Sequence, residues 1–453
     1  MPQAAVVPPR IMRSVSGPEL PLRRVADLSS IVSLEVRRLF PEIPREIYLR
    51  GDDLSAIRQA AERTLAGVDM SMIKPKDSVN LLCSEHGFSM LEGWPYAEML
   101  RIIKDVVQER TGCRDIRLRF GVGTAKSEAK EMIPYYGLDE YFQGRVASAG
   151  TFDRGVPIET EIGTLYGLAN VYDADWIIHA HYDDPRELYF HHLMNRSLKA
   201  FTMSYARLET RSVYHKNFDS RSSNIVPRAI FESPFVQSKF AFTCFLVTSP
   251  AGVIDIGADN DLHRLNRRLT VNTLKSYGKL IRLFAEIDEC VAALDAGRWP
   301  WYLHAGGLTS GNLFMAGTDH LDLDICPARN TGLKAVNPAV KVLLINYTWR
   351  DNLHGLAAWY PLVIAGHQTA QGLSHGVAKR ARIADSLEEA MAMAIEMAGT
   401  DKVIVFDGSY GSINLSLSMA EFLTQRAPEV SRNVDRHLLP LWLKQRGIDP
   451  ETV

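Results

Sequence analysis

Residues 79–120 read VNLLCSEHGFSMLEGWPYAEMLRIIKDVVQERTGCRDIRLRF, and this stretch decides the fold. Val79–Cys83 and Ile116–Phe120 are short apolar runs of the kind that form buried strands. Between them, Tyr96–Gly112 repeats apolar residues at three- and four-residue spacing, and Gly112 stands where a left-handed cap would end a helix. The apolar stripe consists of Met99, Ile102, Ile103, Val106 and Val107. A strand, a helix and a second strand in this order predict a parallel sheet covered by helices.

The same alternation continues along the chain and predicts an α/β protein with two domains. We expect an extended N-terminal arm over residues 1–30, an N-terminal α/β domain over 31–270 and a C-terminal α/β domain over 271–453. Each domain should contain a parallel-rich sheet, and a cleft should lie between them.

Two helices are predicted in the C-terminal half. Asn272–Ala296 is expected to be one long helix that ends at Gly297. Ser386–Gly399 is the clearest helix, because Ser386 and Glu389 have the spacing of a capping box.

The composition indicates an ordinary globular protein and argues against several classes. Of 453 residues, 46% are hydrophobic and 23% charged, and the formal net charge is -2, so no basic surface for nucleic acid is expected. The five cysteines include no Cys-x-x-Cys pair, which argues against disulfides and structural zinc. The chain lacks the ~18-residue apolar run of a membrane helix, and its N-terminus lacks the apolar core of a signal peptide. We therefore expect a cytoplasmic protein without membrane contact.

Residues 188–215 read LYFHHLMNRSLKAFTMSYARLETRSVYH and place Lys199 sixteen residues before His215. An Ala-Arg-Leu-Glu-Thr run lies between them. In combination with three other segments, this arrangement resembles the nickel-dependent lactate racemases. The other segments are LLCSEH at 81–86, IGTLYGLANVYDADWII at 162–178 and DSLEEAMAMAIEMAGTDKVIVFDGSYG at 385–411.

The resemblance implies a cofactor and the residues that hold it. Lys199 would carry a nickel pincer nucleotide, in which nickel is bound through sulfur and carbon, as a thioamide of its amine. His215 would give its imidazole to the same nickel. Lys341 would reach the cofactor, because Ala339-Val340-Lys341 is similar to a family stretch whose lysine does so. Separate maturation enzymes would have to supply the cofactor.

The chain departs from the family at the residues that move protons and bind the substrate. Tyr189 stands ten residues before Lys199, where the family has a catalytic histidine, and Lys126 closes a Gly-Thr-Ala-Lys turn where the family has a second. No arginine follows His86, so another group would have to bind the substrate carboxylate. Tyr189, Lys126 and His181 are therefore the candidate proton carriers.

Histidines and carboxylates cluster before Lys199, and two interpretations remain open. They are either a polar loop at the carboxyl end of a parallel strand, where ligands gather, or a metal site. The cluster consists of His179, His181, Asp183, Asp184, Glu187, His191 and His192.

The resemblance implies a racemase or epimerase of a 2-hydroxy acid that works by reversible hydride transfer. The replaced residues favour a substrate other than lactate, such as a sugar acid. The alternatives are a family member with changed chemistry, an oxidoreductase or a lyase, and a homologue that binds the cofactor without catalysis. The sequence carries no signal for the oligomeric state.

Overall fold

The computed structural model describes most of the chain, and all structural statements concern the residues it describes. These are residues 3–4, 23–122, 126–189, 194–217, 224–297, 300–314, 321–324, 336–348, 359–373 and 375–453.

The chain divides into two compact units. The central unit comprises Glu46–Thr248 and Val253–Asn272. The terminal unit comprises Met1–Arg45, Ser249–Gly252 and Thr273–Val453, so it includes both ends of the chain.

The strands alternate with helices through much of the chain, as the sequence predicts. In chain order they are β1 Gln3–Ala4, β2 Ile31–Glu35, β3 Ser78–Ser84, β4 Asp115–Val122, β5 Val146–Gly150, β6 Gly155–Thr160, β7 Gly163–Leu168, β8 Trp176–Tyr182, β9 Phe240–Ser249, β10 Gly252–Asp259, β11 Cys290–Asp295, β12 His304–Ala305, β13 Leu308–Thr309, β14 Val340–Tyr347, β15 Leu362–Ala365, β16 Arg382–Ala384, β17 Val403–Phe406 and β18 Ser412–Ser416.

The α-helices range from single turns to one of 24 residues, α10. In chain order they are α1 Val36–Leu39, α2 Ser55–Ala66, α3 Trp94–Thr111, α4 Lys126–Tyr135, α5 Leu138–Tyr141, α6 Arg186–Tyr189, α7 Leu208–Lys216, α8 Ile225–Phe231, α9 Pro234–Gln237, α10 Leu262–Ala285, α11 Ser310–Phe314, α12 His367–Gly372, α13 His375–Ala378, α14 Leu387–Ala398, α15 Leu417–Asn433 and α16 Leu439–Gln445. Within the described ranges, no helix is long and apolar enough to cross a membrane.

The sheet of the central unit has the order β10-β9-β8-β3-β4-β5. Its strands from β9 to β5 pair in parallel, so their carboxyl ends meet at one edge. β3 is buried along nearly its whole length, as expected of a strand covered on both faces. Gly112 ends α3 with a φ of 71°, the left-handed cap that the sequence predicts.

The sheet of the terminal unit has the order β1-β2-β18-β17-β11-β14-β15-β16. The run from β17 to β16 is parallel, whereas β18, β2 and β1 pair antiparallel at the other side. The predicted α/β fold with parallel-rich sheets is therefore confirmed.

The predicted long helix Asn272–Ala296 is confirmed from Asn272 to Ala285 and wrong beyond that residue. The helix ends at Ala285, and Cys290–Asp295 forms β11, whose residues are all buried between β17 and β14. Its sequence, CVAALD, contains good helix formers, and periodicity does not separate a short buried strand from the end of a helix. Burial at the centre of a parallel sheet overrides that weak propensity.

The predicted capping box at α14 is confirmed in one half. Ser386 Oγ accepts a hydrogen bond from the Glu389 amide at 3.1 Å. The Glu389 carboxylate accepts instead from the amide of Asp385 at 2.9 Å, one residue before the serine. Both exposed amides at the start of the helix therefore have partners.

Candidate active site at the carboxyl edge of the central sheet

Two neighbouring strands of the central sheet end in polar residues. β3 ends at Ser84 and is followed by Glu85 and His86, whereas β8 ends at Tyr182 and is followed by residues 183–186, Asp-Asp-Pro-Arg. β3 and β8 are parallel neighbours, and Leu82 pairs with His179. The polar segments therefore lie side by side, at the edge where α/β sheets bind ligands.

Lys199 lies in a 3-10 helix, Arg196–Phe201, whose first residue is tied to the sheet. Arg196 Nε donates to Asp183 Oδ1 at 3.1 Å, and Arg196 Nη1 donates to Thr270 Oγ1 at 2.8 Å. The side chains of Arg196 and Asp183 are 2% and 1% exposed. Since a buried charge is tolerated only with a partner, this ion pair fixes the helix start beside the end of β8.

His179, inside β8, holds the same helix from the strand side. Its ring is fully buried, which places its pKa well below the usual range, and the positive charge of His181 acts in the same direction. The neutral ring makes two bonds: Nε2–H donates to the Ser197 carbonyl at 3.2 Å, and Nδ1 accepts from the Tyr205 hydroxyl at 3.0 Å. Lys199 therefore lies in a short helix whose first two residues are bonded to β8 and to the segment directly after it.

His86 lies beside two cations at this edge. Burial and, to a smaller extent, the positive charges of Arg186 and Lys199 together lower the pKa of its imidazole to about 3. The side chain is nevertheless 49% exposed, so the ring stands in an open recess that solvent reaches. The ring is therefore neutral at pH 7, and Lys199 and Arg186 both lie within electrostatic reach of it.

Arg186 is itself held by a buried network. Its Nε donates to both oxygens of Asp184, at 2.8 and 2.9 Å, and its Nη2 donates to the Tyr182 hydroxyl at 2.6 Å. The Tyr182 hydroxyl donates to Asp184 at 2.7 Å. The side chains of Arg186 and Asp184 are each 8% exposed. This network fixes a guanidinium at the recess.

His181 is half-buried on the same face of β8 as His179. Its ring stacks between Tyr182 and Phe245, with centroid distances of 5.0 and 5.6 Å. Its Nδ1 lies 2.8 Å from the Tyr182 amide nitrogen and 3.0 Å from the Tyr182 carbonyl oxygen. His181 thus lies in the predicted region, with its ring orientation fixed by two aromatic neighbours.

His215 lies in the last turn of α7 and is exposed, while its neighbour Tyr214 is buried. Arg211, one turn earlier on the same helix face, donates to the Met203 carbonyl at 3.5 Å and is attracted by the negative charge of Glu85. Glu85 immediately follows β3, so Arg211 lies within electrostatic reach of this sheet edge.

The structure locates the other predicted residues as follows. Tyr189 ends α6 and Lys126 begins α4, directly after the carboxyl ends of β8 and β4, but both side chains lie outside the described residues. His191 and His192 also lie outside them. Lys341 belongs to the terminal unit, where its exposed ammonium donates to the Pro338 carbonyl at 2.9 Å.

The interpretation of the histidine cluster as a metal site does not extend to His179. Both of its ring nitrogens are engaged, with Ser197 and Tyr205. Across the part of the chain that the structure describes, no group of three or more His, Cys, Asp or Glu side chains could hold a metal ion.

Sequence reasoning missed Arg186 and the Asp183–Arg196 pair. The sequence did contain a signal for Arg186, because Asp-Asp-Pro-Arg directly follows a predicted strand. Residues that follow a parallel strand lie at the carboxyl edge of the sheet, where ligands bind. The pairing of Asp183 with Arg196 could not be predicted from the sequence. Thirteen residues separate the two, and neither the helix period nor the strand period brings residues at that distance together.

The terminal unit contains a second pair of buried acids. Asp295 and Asp407 follow Leu294 and Phe406, which are paired residues of parallel β11 and β17. The Val25 amide and Asn346 Nδ2 each donate to Asp295 at 2.8 Å, and the Arg24 guanidinium forms an ion pair with the same carboxylate, 3.0 Å from Nε to Oδ2. Burial nevertheless raises the pKa of Asp295 to about 6 and also raises that of Asp407. These contacts anchor Arg24 and Val25 to the end of β11.

Comparison with models of known protein families and with curated proteins found no match for this chain.

Proposed function

We propose that this chain is a racemase or epimerase of a 2-hydroxy acid that depends on a nickel pincer nucleotide. The observation that carries the proposal is the placement of Lys199. The first two residues of its helix are bonded to β8 and to Asp183, which directly follows β8. Its ammonium lies within electrostatic reach of His86 at the carboxyl edge of a parallel sheet. A covalent cofactor needs such a fixed attachment point, because hydride transfer depends on alignment of the reacting atoms.

The residues present suit the cofactor by the chemistry of their donor groups. A lysine amine forms an amide-type link once it loses its proton, and a neutral imidazole is a good nickel ligand. His215 is exposed at the end of α7, on the face shared with Arg211. When bound, the cofactor would supply a carbon that accepts the C2 hydride of the substrate and returns it.

The charged groups of the recess suit an anionic substrate. Arg186 supplies a positive charge that does not follow His86 in sequence, as the family arginine would, but lies within electrostatic reach of it. We assign to Arg186 the attraction of the substrate carboxylate. Tyr189, Lys126 and His181 remain the candidates for moving the hydroxyl proton.

We propose a longer, polyhydroxylated acid as the substrate rather than lactate. His181 adds a polar ring to this edge beyond the groups that one hydroxyl and one carboxylate require. A site that hydrogen-bonds substrate hydroxyls discriminates strongly against analogues that lack them, because its polar groups are then left unpaired.

The attachment test uses full-length protein co-expressed with pincer maturation enzymes in the cytoplasm of a bacterial host with added nickel. A peptide containing Lys199 should gain the mass of the pincer nucleotide, and Lys199→Ala should not. Lys239→Ala is a matched control, because this lysine is bonded to the Ala174 carbonyl, away from the recess. An adduct on another lysine, or none where a known racemase is loaded, would refute the proposal.

The activity test offers loaded protein a panel of chiral 2-hydroxy acids, from lactate to sugar acids. Interconversion is followed by chiral separation, because hydride return need not exchange hydrogen with solvent. We expect turnover on polyhydroxylated acids and little on lactate. Loaded protein that racemises none of them would favour an oxidoreductase, a lyase or a cofactor-binding homologue.

A further inference from the structure

The last helices of the terminal unit border a cavity of about 420 Å³. Its wall is formed by Glu286, which directly follows α10, and by residues between 426 and 437 in α15 and the turn after it. That turn, Val434–Leu438, is a π-helix, in which the Leu439 amide donates to the Val434 carbonyl. Such turns are frequent at functional sites, and the cavity has the volume of a small-molecule site.

The carboxylates at and beside this cavity are engaged by other cations. Arg426 lies 3.3 Å from Glu286, Nη2 to Oε2, and 3.8 Å from Glu429, Nη1 to Oε2. Asp435, in the π turn, accepts a hydrogen bond from Lys279 Nζ at 2.8 Å. All three acids are therefore paired with Arg426 or Lys279.

Two further cations of the cavity wall, Arg432 and Arg436, are not paired in this way. Both residues are exposed, and within the described ranges no carboxylate oxygen lies within 4.0 Å of either guanidinium. The two arginines are four residues apart, and like charges at this spacing on a helix repel each other. A bound anion would offset this repulsion.

A buried ammonium fixes the backbone from which both arginines project. Lys279, whose side chain is 3% exposed, donates to Ser431 Oγ at 3.0 Å and to Asp435 Oδ2 at 2.8 Å. Ser431 directly precedes Arg432, and Asp435 directly precedes Arg436. The spacing of the two arginines is therefore set before a ligand arrives, which lowers the cost of binding.

The paired guanidiniums suit a phosphate group better than a carboxylate. Each guanidinium presents its N–H groups as a planar fork that pairs with two oxygens of an anion. Residues four apart on a helix have Cβ atoms about 5–6 Å apart, so both forks can reach one anion. A carboxylate has two oxygens, which one fork occupies, whereas a phosphate monoester has three acceptor oxygens. Asn433, also on the cavity wall, adds an amide that can donate.

We propose that this cavity binds the phosphate group of a small phosphorylated molecule, with Arg432 and Arg436 as the contacts of the anion. A phosphate group fills only a small part of about 420 Å³, so the remaining volume can hold the organic part of the ligand. The proposal goes beyond the proposed function and does not depend on it. Its residues belong to the terminal unit, and its test uses protein without a cofactor.

Calorimetric titration of the unmodified full chain, in a low-salt buffer free of phosphate, tests the proposal. The probes are inorganic phosphate, glucose 6-phosphate, adenosine monophosphate and, as a carboxylate, acetate. We expect saturable binding of the phosphates, tighter for at least one of the two esters than for the free ion, and no binding of acetate at the same concentration. Arg432→Gln and Arg436→Gln should each weaken ester binding about 10- to 100-fold, the usual effect of removing a charged hydrogen-bond donor.

Two further variants separate a built site from general attraction by positive charge. Arg267→Gln changes the net charge by the same amount at an exposed site of the central unit, and it should bind the esters like wild type. Glu286→Gln should bind them more tightly, because it removes a negative charge from the cavity and frees Arg426. Urea unfolding confirms that each variant is folded.

The outcomes divide as follows. Inorganic phosphate that binds as tightly as both esters would support the phosphate site with the free ion as its ligand. Three results would each overturn the proposal: no saturable binding of any phosphate, acetate bound as tightly as phosphate, or equal binding by the two cavity variants and Arg267→Gln.

Discussion

The guanidinium of Arg196 and the carboxylate of Asp183 form an ion pair between side chains that are only 2% and 1% exposed. The pair joins the segment after β8 to the first residue of the helix that carries Lys199. Thr270 supplies a further acceptor to the same guanidinium at 2.8 Å. The position of the proposed cofactor lysine therefore depends on a charge pair that water does not screen.

Loss of one member of this pair should destabilise the protein strongly. Arg196→Gln leaves the Asp183 carboxylate buried without its cation, which costs about 3–5 kcal/mol in comparable cases. Urea unfolding of the purified full chain measures the loss. The double variant Asp183→Asn, Arg196→Gln should lose less than the sum of the single variants, because neither uncompensated charge remains.

The matched control for this prediction is Arg228→Gln. Arg228 pairs with Glu161 at 2.7 Å, but the two side chains are 45% and 54% exposed. Exposed pairs contribute at most about 1 kcal/mol. An Arg196→Gln variant no less stable than Arg228→Gln would show that the buried pair does not hold the helix.

His179 should control the local order of the Lys199 helix. His179→Phe keeps an aromatic ring but leaves the Ser197 carbonyl and the Tyr205 hydroxyl without this partner, at a cost of about 1–3 kcal/mol each. Amide hydrogen exchange should accelerate over residues 196–205 and stay unchanged in α3. His263→Phe, at a site whose side chain is 40% exposed, serves as the control. Equal protection of residues 196–205 in His179→Phe and wild type would contradict the assigned role.

Strands could be predicted where a short apolar run is separated from the neighbouring helices by turn residues. Val79–Cys83 and Val403–Phe406 are such strands, and both lie within strands of the structure. Cys290–Asp295 was not predictable, because its Ala and Leu residues continue the pattern of the preceding helix. Only its position between β17 and β14 makes it a strand.

The candidate site was predictable in its location and not in its bonds. A strand that ends at Tyr182 and is followed by carboxylates had to place polar groups at the carboxyl edge of a parallel sheet. The bond from Ser197 to Asn266, 3.2 Å from amide nitrogen to Oδ1, spans 69 residues, and no local pattern predicts such a contact. Long-range side-chain bonds of this kind fix the Lys199 helix.

Asp295 should make the stability of the protein depend on pH. Its folded-state pKa is raised to about 6, above its ordinary value of 3.8, so the folded protein holds this proton more tightly than the unfolded chain. The resulting stabilisation is present below pH 4 and is lost as pH rises toward 6. Asp295→Asn removes this titration, so the variant should lose more stability relative to wild type at pH 4 than at pH 7. The difference should be on the order of 2 kcal/mol.

Urea unfolding of wild type and variant at both pH values measures this difference. Groups that titrate alike in wild type and variant do not affect the difference between the two proteins. The cost of changing the bonds to Arg24 and Asn346 is the same at both pH values, so it does not affect the difference between pH 4 and pH 7. Asp401→Asn, at an exposed site, should show no such difference between the two pH values. A loss that is equal at pH 4 and pH 7 in Asp295→Asn would mean that burial does not raise the pKa of this carboxyl.

Loss of the proposed metal ligand His215 should weaken the retention of nickel without preventing attachment of the cofactor to Lys199. His215→Ala removes an exposed imidazole from the last turn of α7 and leaves buried Tyr214 in place, so the fold should keep its stability within about 0.5 kcal/mol. Protein loaded by the maturation enzymes should still show the mass adduct on the Lys199 peptide. After dialysis against a chelator, however, it should contain much less nickel per adduct than wild type, because the metal has lost its imidazole ligand. Nickel is measured by elemental analysis and the adduct by peptide mass.

His437→Ala is the matched control, since this exposed histidine belongs to the terminal unit. Equal nickel retention in His215→Ala and His437→Ala would exclude His215 as the ligand even if Lys199 carries the cofactor.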